Sequence, residues 1–423
     1  MSMRFDTIIV GGGMSSLVCG IKLQKAGKKC LIVSAGQNAL HFSSGTFGLL
    51  AKLPDGTAVT NPLSVLDSLP AEHPYSKMGA EAVAEYAAAT PKFFADCGVE
   101  LHAASGEPSG DAPVTNGYRI TGMGTMKPAW LAMKDVTLLG SKDEVIGKKA
   151  LIVNFSGFLD FNTRFIAEGL EKKGLECRIE RIAIKDVENL RKNPSEMRSV
   201  NIARVVTRES VWKEFAHTVQ GLLKGEDVVI LPEVFGLLDP KVPQWLCEMI
   251  PARVFFIGTM PPSVPGIRTQ IQLKKTFEAV GGTFLMGDEV LEPEFDGSRV
   301  VSVRTVNLGS MRLQADSFVL ASGNLFGKGL VASPDKVTEP VFGLDVMYPE
   351  DRNEWYDKDF ANVQNYLGFG VRTGNDFRPY RNGTLVENLY VIGSELGGCN
   401  SLAEGSGAGV AIFTAMNVAD KLV

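Results

Sequence analysis

Residues 7–20, TIIVGGGMSSLVCG, place three glycines at the end of a short apolar run and in front of an amphipathic one. Few local sequences restrict a fold so strongly. Thr7–Val10 suits a buried strand, and Met14, Leu17, Val18 and Ile21 recur at helical spacing. A second apolar run, CLIV at 30–33, follows. Strand, glycine turn, helix and strand make a βαβ unit, whose right-handed crossover places both strands in one parallel sheet.

The turn suits phosphate. Gly11 permits the sharp bend, Gly12 follows it, and Gly13 lets backbone N–H groups approach an anion at the helix N-terminus. Met14 and Ser15 open the helix. Ser16 takes the place of the third glycine in G-x-G-x-x-G, where a small residue suffices for helix and strand to close on each other. The second strand ends in Ser34, Ala35 and Gly36. Ser34 stands where a dinucleotide fold usually has Asp or Glu for the ribose. A serine cannot grip both hydroxyls, so NAD is disfavoured and an adenosine half is held less firmly.

The 423 residues, 45% of them hydrophobic, are enough for two or three globular domains. A formal charge of −5 and a pI near 5.6 argue against a basic footprint for nucleic acid, and so against flavin-dependent RNA modification. No secretory segment follows Met1, and no apolar run approaches the roughly 18 residues of a membrane span. Cys19, Cys30, Cys97, Cys177, Cys247 and Cys399 are scattered without a C-x-x-C pair. They read as small buried residues of a reduced, cytoplasmic protein, and with four isolated histidines they imply no metal.

Strand and helix alternate onward. A helical stretch covers 80–96, and a second strand–helix–strand unit starts at Lys148. Strands are expected at 227–234 and 253–258, a helix over Gln270–Val280, then a hairpin leading into a buried strand near 320. The chain closes on a strand, a glycine-rich loop and a helix. The expected fold is α/β: a Rossmann-like FAD/NAD(P)-binding-type domain from 1–100 and 262–423, with an inserted α/β middle (cap) domain over 101–261.

Three segments resemble flavoproteins of the succinate dehydrogenase and fumarate reductase type. HFSSGTFGLL (41–50) resembles their Ser/Gly-rich loop beside the flavin, and ADSFVLASGNLFGKG (315–329) their strand ending in Ala-Thr-Gly. NLYVIGSELGG and EGSGAGVA resemble their C-terminal module, with Ser394 in the acidic position and Glu395 one residue beyond. The resemblance implies flavin contacts at Ser43, Ser44, Gly45, Ser322, Gly323, Gly393, Ser394, Gly405, Ser406 and Gly407, beside the first turn and Ser34–Gly36.

A narrower set, including HPY (73–75), VNIAR (200–204), PPSVPGIRTQIQL (261–273) and EPVFGLDV (339–346), is similar to the B subunits of anaerobic glycerol-3-phosphate dehydrogenases. That resemblance implies a complex oxidising sn-glycerol 3-phosphate to dihydroxyacetone phosphate and passing electrons to quinone in anaerobic respiration. It implies two partners, a larger FAD-containing catalytic subunit and an iron–sulfur subunit that anchors the complex at the inner face of the cell membrane. It also implies FMN. The glycine turn pulls toward FAD, whereas Ser34 pulls with the resemblance, so FMN is expected, with FAD the alternative. A non-catalytic relay or assembly subunit with a partly vestigial flavin site is the other reading.

Catalytic residues are less legible. Arg268, after a proline-stiffened loop, could meet a phosphate or form an interdomain ion pair. Arg378 and Arg372 precede the last strand, with the same two readings. His41 adjoins the Ser/Gly loop and could meet the flavin or cap the loop, and His73 reads as a turn residue. Lys274 and Lys275 suit a solvated helix face.

Overall fold

The computed structural model describes residues 2–106 and 114–423. Strand β1 (Ser2–Val10), helix α1 (Met14–Lys25) and strand β2 (Cys30–Ser34) form the expected βαβ unit, and β1 and β2 pair in parallel. Helix α2 (Ala80–Asp96) follows. Short strands Leu101–Ala103 and Leu131–Met133 then pair with each other, and the second of them also pairs with Thr46–Phe47.

A separate parallel sheet comes next. Its strands are β3 (Lys149–Phe155), β4 (Glu176–Ile182), β5 (Val228–Pro232) and β6 (Arg253–Ile257), in the order β6-β5-β3-β4. Helices α3 (Thr163–Glu171) and α4 (Glu209–Leu222) connect them. The chain order reverses between β3 and β5, the kind of crevice where open α/β sheets bind ligands at the carboxyl ends of their strands.

Helix α5 (Val264–Ala279) returns the chain to the first sheet. It begins earlier than the apolar spacing suggests. Ser263 accepts the Gly266 N–H as its cap and Pro265 fits the first turn, so Arg268 lies within the helix. Strands β7 (Thr283–Met286), β8 (Val290–Asp296), β9 (Arg299–Thr305), β10 (Arg312–Leu320) and β11 (Leu389–Val391) complete this sheet. Its order is β7-β2-β1-β10-β9-β8, with β11 added to the end of β10. Strands β8 to β10 run antiparallel as a meander, while β1, β2, β7, β10 and β11 are parallel. Helix α6 (Gly407–Leu422) packs on α1.

Two hydrophobic cores result. One surrounds the first sheet with α1, α2 and α6; the other surrounds the middle sheet. Trp130, Leu131, Met133, Val136 and Leu138 pack in the first, and the second begins with Ile120 and Leu139. Packing therefore leaves part of the stretch after residue 101 with the first core, because its short strands extend Thr46–Phe47.

Candidate functional site

The glycines of the first turn are not equivalent. Gly11 has φ +117°, and a side chain there would overlap the Ala321 carbonyl. A side chain at Gly12 would overlap Ser34. A methyl at Gly13 would meet nothing within 4 Å. Two glycines thus seat the loop against its own sheet, and the third faces open space at the start of α1. Gly13 caps α1 with extended backbone and no side-chain bond, so the first helical N–H groups are free to hold an anion. This is the cradle a flavin phosphate needs, and the residues fit it.

The other glycine segments converge on that turn. Ser15 fills the space beside Gly393, whose φ is +73°, and the Gly393 N–H donates to Thr414 Oγ1 of α6 at 3.0 Å. A side chain at Gly48 would overlap the Gly405 carbonyl, and Gly409 N–H donates to Gly48 O at 2.9 Å. Ser43 lies against Gly266 at the start of α5, and Ser44 bonds Thr46. Loops 10–16, 43–48, 321–323, 393–394 and 405–409 therefore meet around the N-termini of α1 and α6. Met14, Ser394 and Gly407 are at least partly exposed there, whereas Ser16 and Ser406 are buried. Ser406 donates to Glu404 at 3.2 Å, and the Ser16 hydroxyl has no partner.

Ser34 is buried and turned inward. Its hydroxyl donates to the Gly36 carbonyl at 3.2 Å, while Ala35 is exposed. Asn38, which no sequence motif marks, donates to Gly12 O at 2.7 Å and accepts from Leu40 N, bracing the turn from the second strand's exit.

In sequence, Glu395 is only a neighbour of the expected acidic position. It is 0% exposed, accepts from Ser322 Oγ and Gly323 N, and leaves Oε1 unpartnered. Burial pushes its pKa up to about 8, the nearby Glu339 adds to the rise, and hydrogen bonds from Ser322 and Gly323 oppose it. No periodic signal marks such a residue, because its partners are loop atoms from another segment.

The candidate catalytic residues separate. Arg268 is 5% exposed and pairs with Asp135 at 2.5 Å, which makes it a structural ion pair between α5 and the segment after Leu131–Met133. Arg378 pairs with Asp376 in its own turn at 2.6 Å, and Arg372 is exposed. His41 Nε2 meets Gln270 Oε1 of α5 at 2.7 Å, and its buried Nδ1 has no partner. Lys274 pairs with Glu278 and lies over the Phe284 ring, and Lys275 is exposed. His73 does start a turn, with Nδ1 accepting the Tyr75 N–H, but it is fully buried and its Nε2 meets Glu404 at 3.2 Å. Ligand-type atoms of His73, Glu404 and Cys399 lie within 4.8 Å of one another. Glu404 also accepts from Asn400 N and Ser406, so the imidazole and carboxylate are satisfied by hydrogen bonds that fix the loop leading into α6.

Residues 6–410 match the family described as FAD binding domain. The B subunit of anaerobic glycerol-3-phosphate dehydrogenase from Yersinia enterocolitica is 39% identical, covering 100% of this chain and 98% of that protein. The chain belongs to this family of flavoprotein B subunits. The corresponding protein of Pectobacterium atrosepticum is 38% identical over 100% of this chain and 99% of its own length. Among solved structures, 3-ketosteroid delta1-dehydrogenase from Sterolibacterium denitrificans is 10% identical with a TM-score of 0.44, covering 99% of both chains. Glycine oxidase from Geobacillus kaustophilus is 13% identical with a TM-score of 0.35, over 100% of this chain and 95% of that one.

Proposed function

We propose that this chain is the flavoprotein subunit of a complex that oxidises sn-glycerol 3-phosphate to dihydroxyacetone phosphate and passes electrons toward quinone in anaerobic respiration. The full-length likeness to B subunits named for that dehydrogenase carries the reading. Its partners are a larger FAD-containing catalytic subunit and an iron–sulfur subunit that carries the complex to the inner face of the membrane. Among the described residues no helix is long and apolar enough to cross a membrane, which agrees with contact through a partner.

The flavin in this reading is FAD. The family description favours it over the FMN that Ser34 suggested, and the open space at Gly13 suits a pyrophosphate. Bound there, a flavin accepts a hydride and releases electrons singly. The chain's part would be to hold it: N–H groups at the start of α1 would take the phosphates, and the loops at 43–48 and 405–407 would contribute the remaining contacts.

The relay or assembly alternative draws on Ser34, whose hydroxyl is committed to Gly36, and on Ser394, which offers no carboxylate. Purifying the chain with and without its partners separates the two. Stoichiometric FAD, released by heat and matched by chromatography, is the expected result. Full turnover of the complex with this chain colourless would establish the alternative, and stoichiometric FMN would overturn the cofactor assignment.

A further inference from the structure

Four large apolar side chains stand in solvent beside the glycine loops. Phe326 is 72% exposed, Phe360 89%, Val363 65% and Leu402 69%. Contacts place them on one face. The Phe326 ring meets the Tyr366 ring edge-on, with 6.5 Å between centroids. Asn400 caps the short helix Ser401–Glu404 that carries Leu402, and it donates to Gln364 O at 3.3 Å. Gln364 is buried and holds the loop before it. Its side-chain nitrogen donates to the carbonyls of Asp359 and Asn362, and its side-chain oxygen accepts the Asp357 N–H. Phe360 and Val363 are therefore presented to water from a braced loop.

Single exposed apolar residues are ordinary, but a cluster with a polar rim marks a surface that another molecule covers. The rim decides between three occupants. Residues 350–363 carry five acids, Glu350, Asp351, Glu354, Asp357 and Asp359, against Arg352 and Lys358. All five acids are exposed, whereas Arg352 is tied to the carbonyls of Ser333 and Pro334 and lies over the Trp355 ring. Such a rim repels an anionic lipid surface. A second copy meeting the same patch across a two-fold axis would set acid against acid. A protein face with an apolar centre and a basic rim is complementary in both respects.

Position narrows the choice further. Phe326 lies three residues beyond Gly323, and Leu402 three before Gly405, so the patch borders two of the loops that meet at the flavin cradle. We propose that Phe326, Phe360, Val363 and Leu402 form the docking surface for a basic-rimmed one-electron carrier, the iron–sulfur subunit of the complex proposed above. The patch and its charge rest on the contacts; the name of the occupant rests on that reading.

Co-expression of the tagged full chain with its two partner subunits tests it, followed by binding kinetics against the purified iron–sulfur subunit at about 0.05 M and about 0.5 M salt. Wild type should retain both partners. Phe360→Ser with Val363→Ser should weaken binding of the iron–sulfur subunit by at least about tenfold and leave the larger subunit bound. Glu354→Lys should slow association and flatten its dependence on salt, an effect that a purely structural role would not produce. Both changes lie in an exposed loop, and unchanged flavin content and circular dichroism certify that the variants are folded. Wild-type affinity and salt dependence in both would overturn the surface and leave the complex standing. Loss of the larger subunit instead would overturn the occupant. So would a wild-type chain that dimerises, or binds phosphatidylglycerol vesicles, in a manner the double variant abolishes. A wild-type chain that retains neither partner would overturn the proposed function, and this surface with it.

Discussion

Glu395 accepts the backbone N–H of Gly323 at 2.9 Å, joining two turns 72 residues apart in sequence. The same carboxylate oxygen takes the Ser322 hydroxyl at 2.7 Å. One buried side chain thus fixes the exit of β10 against the exit of β11, the two turns that flank the first glycine loop.

This carboxyl should make stability depend on pH. Folding raises its pKa from 4.5 to about 8, so the folded chain retains a proton that the unfolded chain releases across that window. Its contribution is fully present below about pH 4.5, declines as pH rises through the window, and levels off above about pH 8. The slope for one group approaches about 1.4 kcal/mol per pH unit. Glu395→Gln should remove that part of the slope in denaturant melts at several pH values. Parallel curves for wild type and variant would show that Glu395 is ionised when folded.

The first turn allows a substitution test with little structural cost. Gly13→Val adds a side chain where no atom lies within 4 Å and where φ is −84°, so the fold should persist. Flavin content per chain should collapse, because the side chain occupies the space before the helix. Ser16→Ala removes a buried hydroxyl with no partner, which should be neutral or stabilise by up to about 1 kcal/mol and leave flavin content unchanged. Full flavin in folded Gly13→Val would show that the phosphate sits elsewhere.

Two glycines in the first turn of α6 look alike in sequence and differ in space. A methyl at Gly409 would overlap the Tyr75 hydroxyl, which is already bonded to Leu49 O at 2.8 Å. At Gly407 the nearest atoms are 3.9 Å away, on Ser401. Gly409→Ala should destabilise by about 1–3 kcal/mol, whereas Gly407→Ala should stay within about 0.5 kcal/mol. Urea midpoints of the two variants check the ordering, and equal midpoints would contradict it.

These cases show what the sequence could and could not reveal. The βαβ opening was legible because period and glycine spacing are local properties, and Ile8, Ile9 and Ile32 are indeed fully buried. The parallel middle sheet was legible for the same reason. The start of α5 was not, since Ser263 and Pro265 act as a cap only once the backbone turns there. Glu395 and Glu404 were not legible because each is defined by partners contributed by distant segments. A carboxylate in a loop reads as solvated until the fold buries it.

The pairing of Arg268 with Asp135 gives the last test. Both roles of Arg268 were open in the sequence, and the 2.5 Å contact makes it first a structural cation. Its guanidinium is 5% exposed and joins α5 to the segment after Leu131–Met133, so removing it leaves Asp135 without its partner. Arg268→Met should therefore cost about 3–5 kcal/mol, the penalty of a buried charge without its partner. Replacing both groups, Arg268→Met with Asp135→Leu, removes the stranded charge and should recover at least half of that loss. A double-mutant cycle by chemical denaturation measures the coupling directly. If Arg268→Met keeps wild-type stability, the ion pair contributes nothing to the junction, and the arginine is free for a ligand alone.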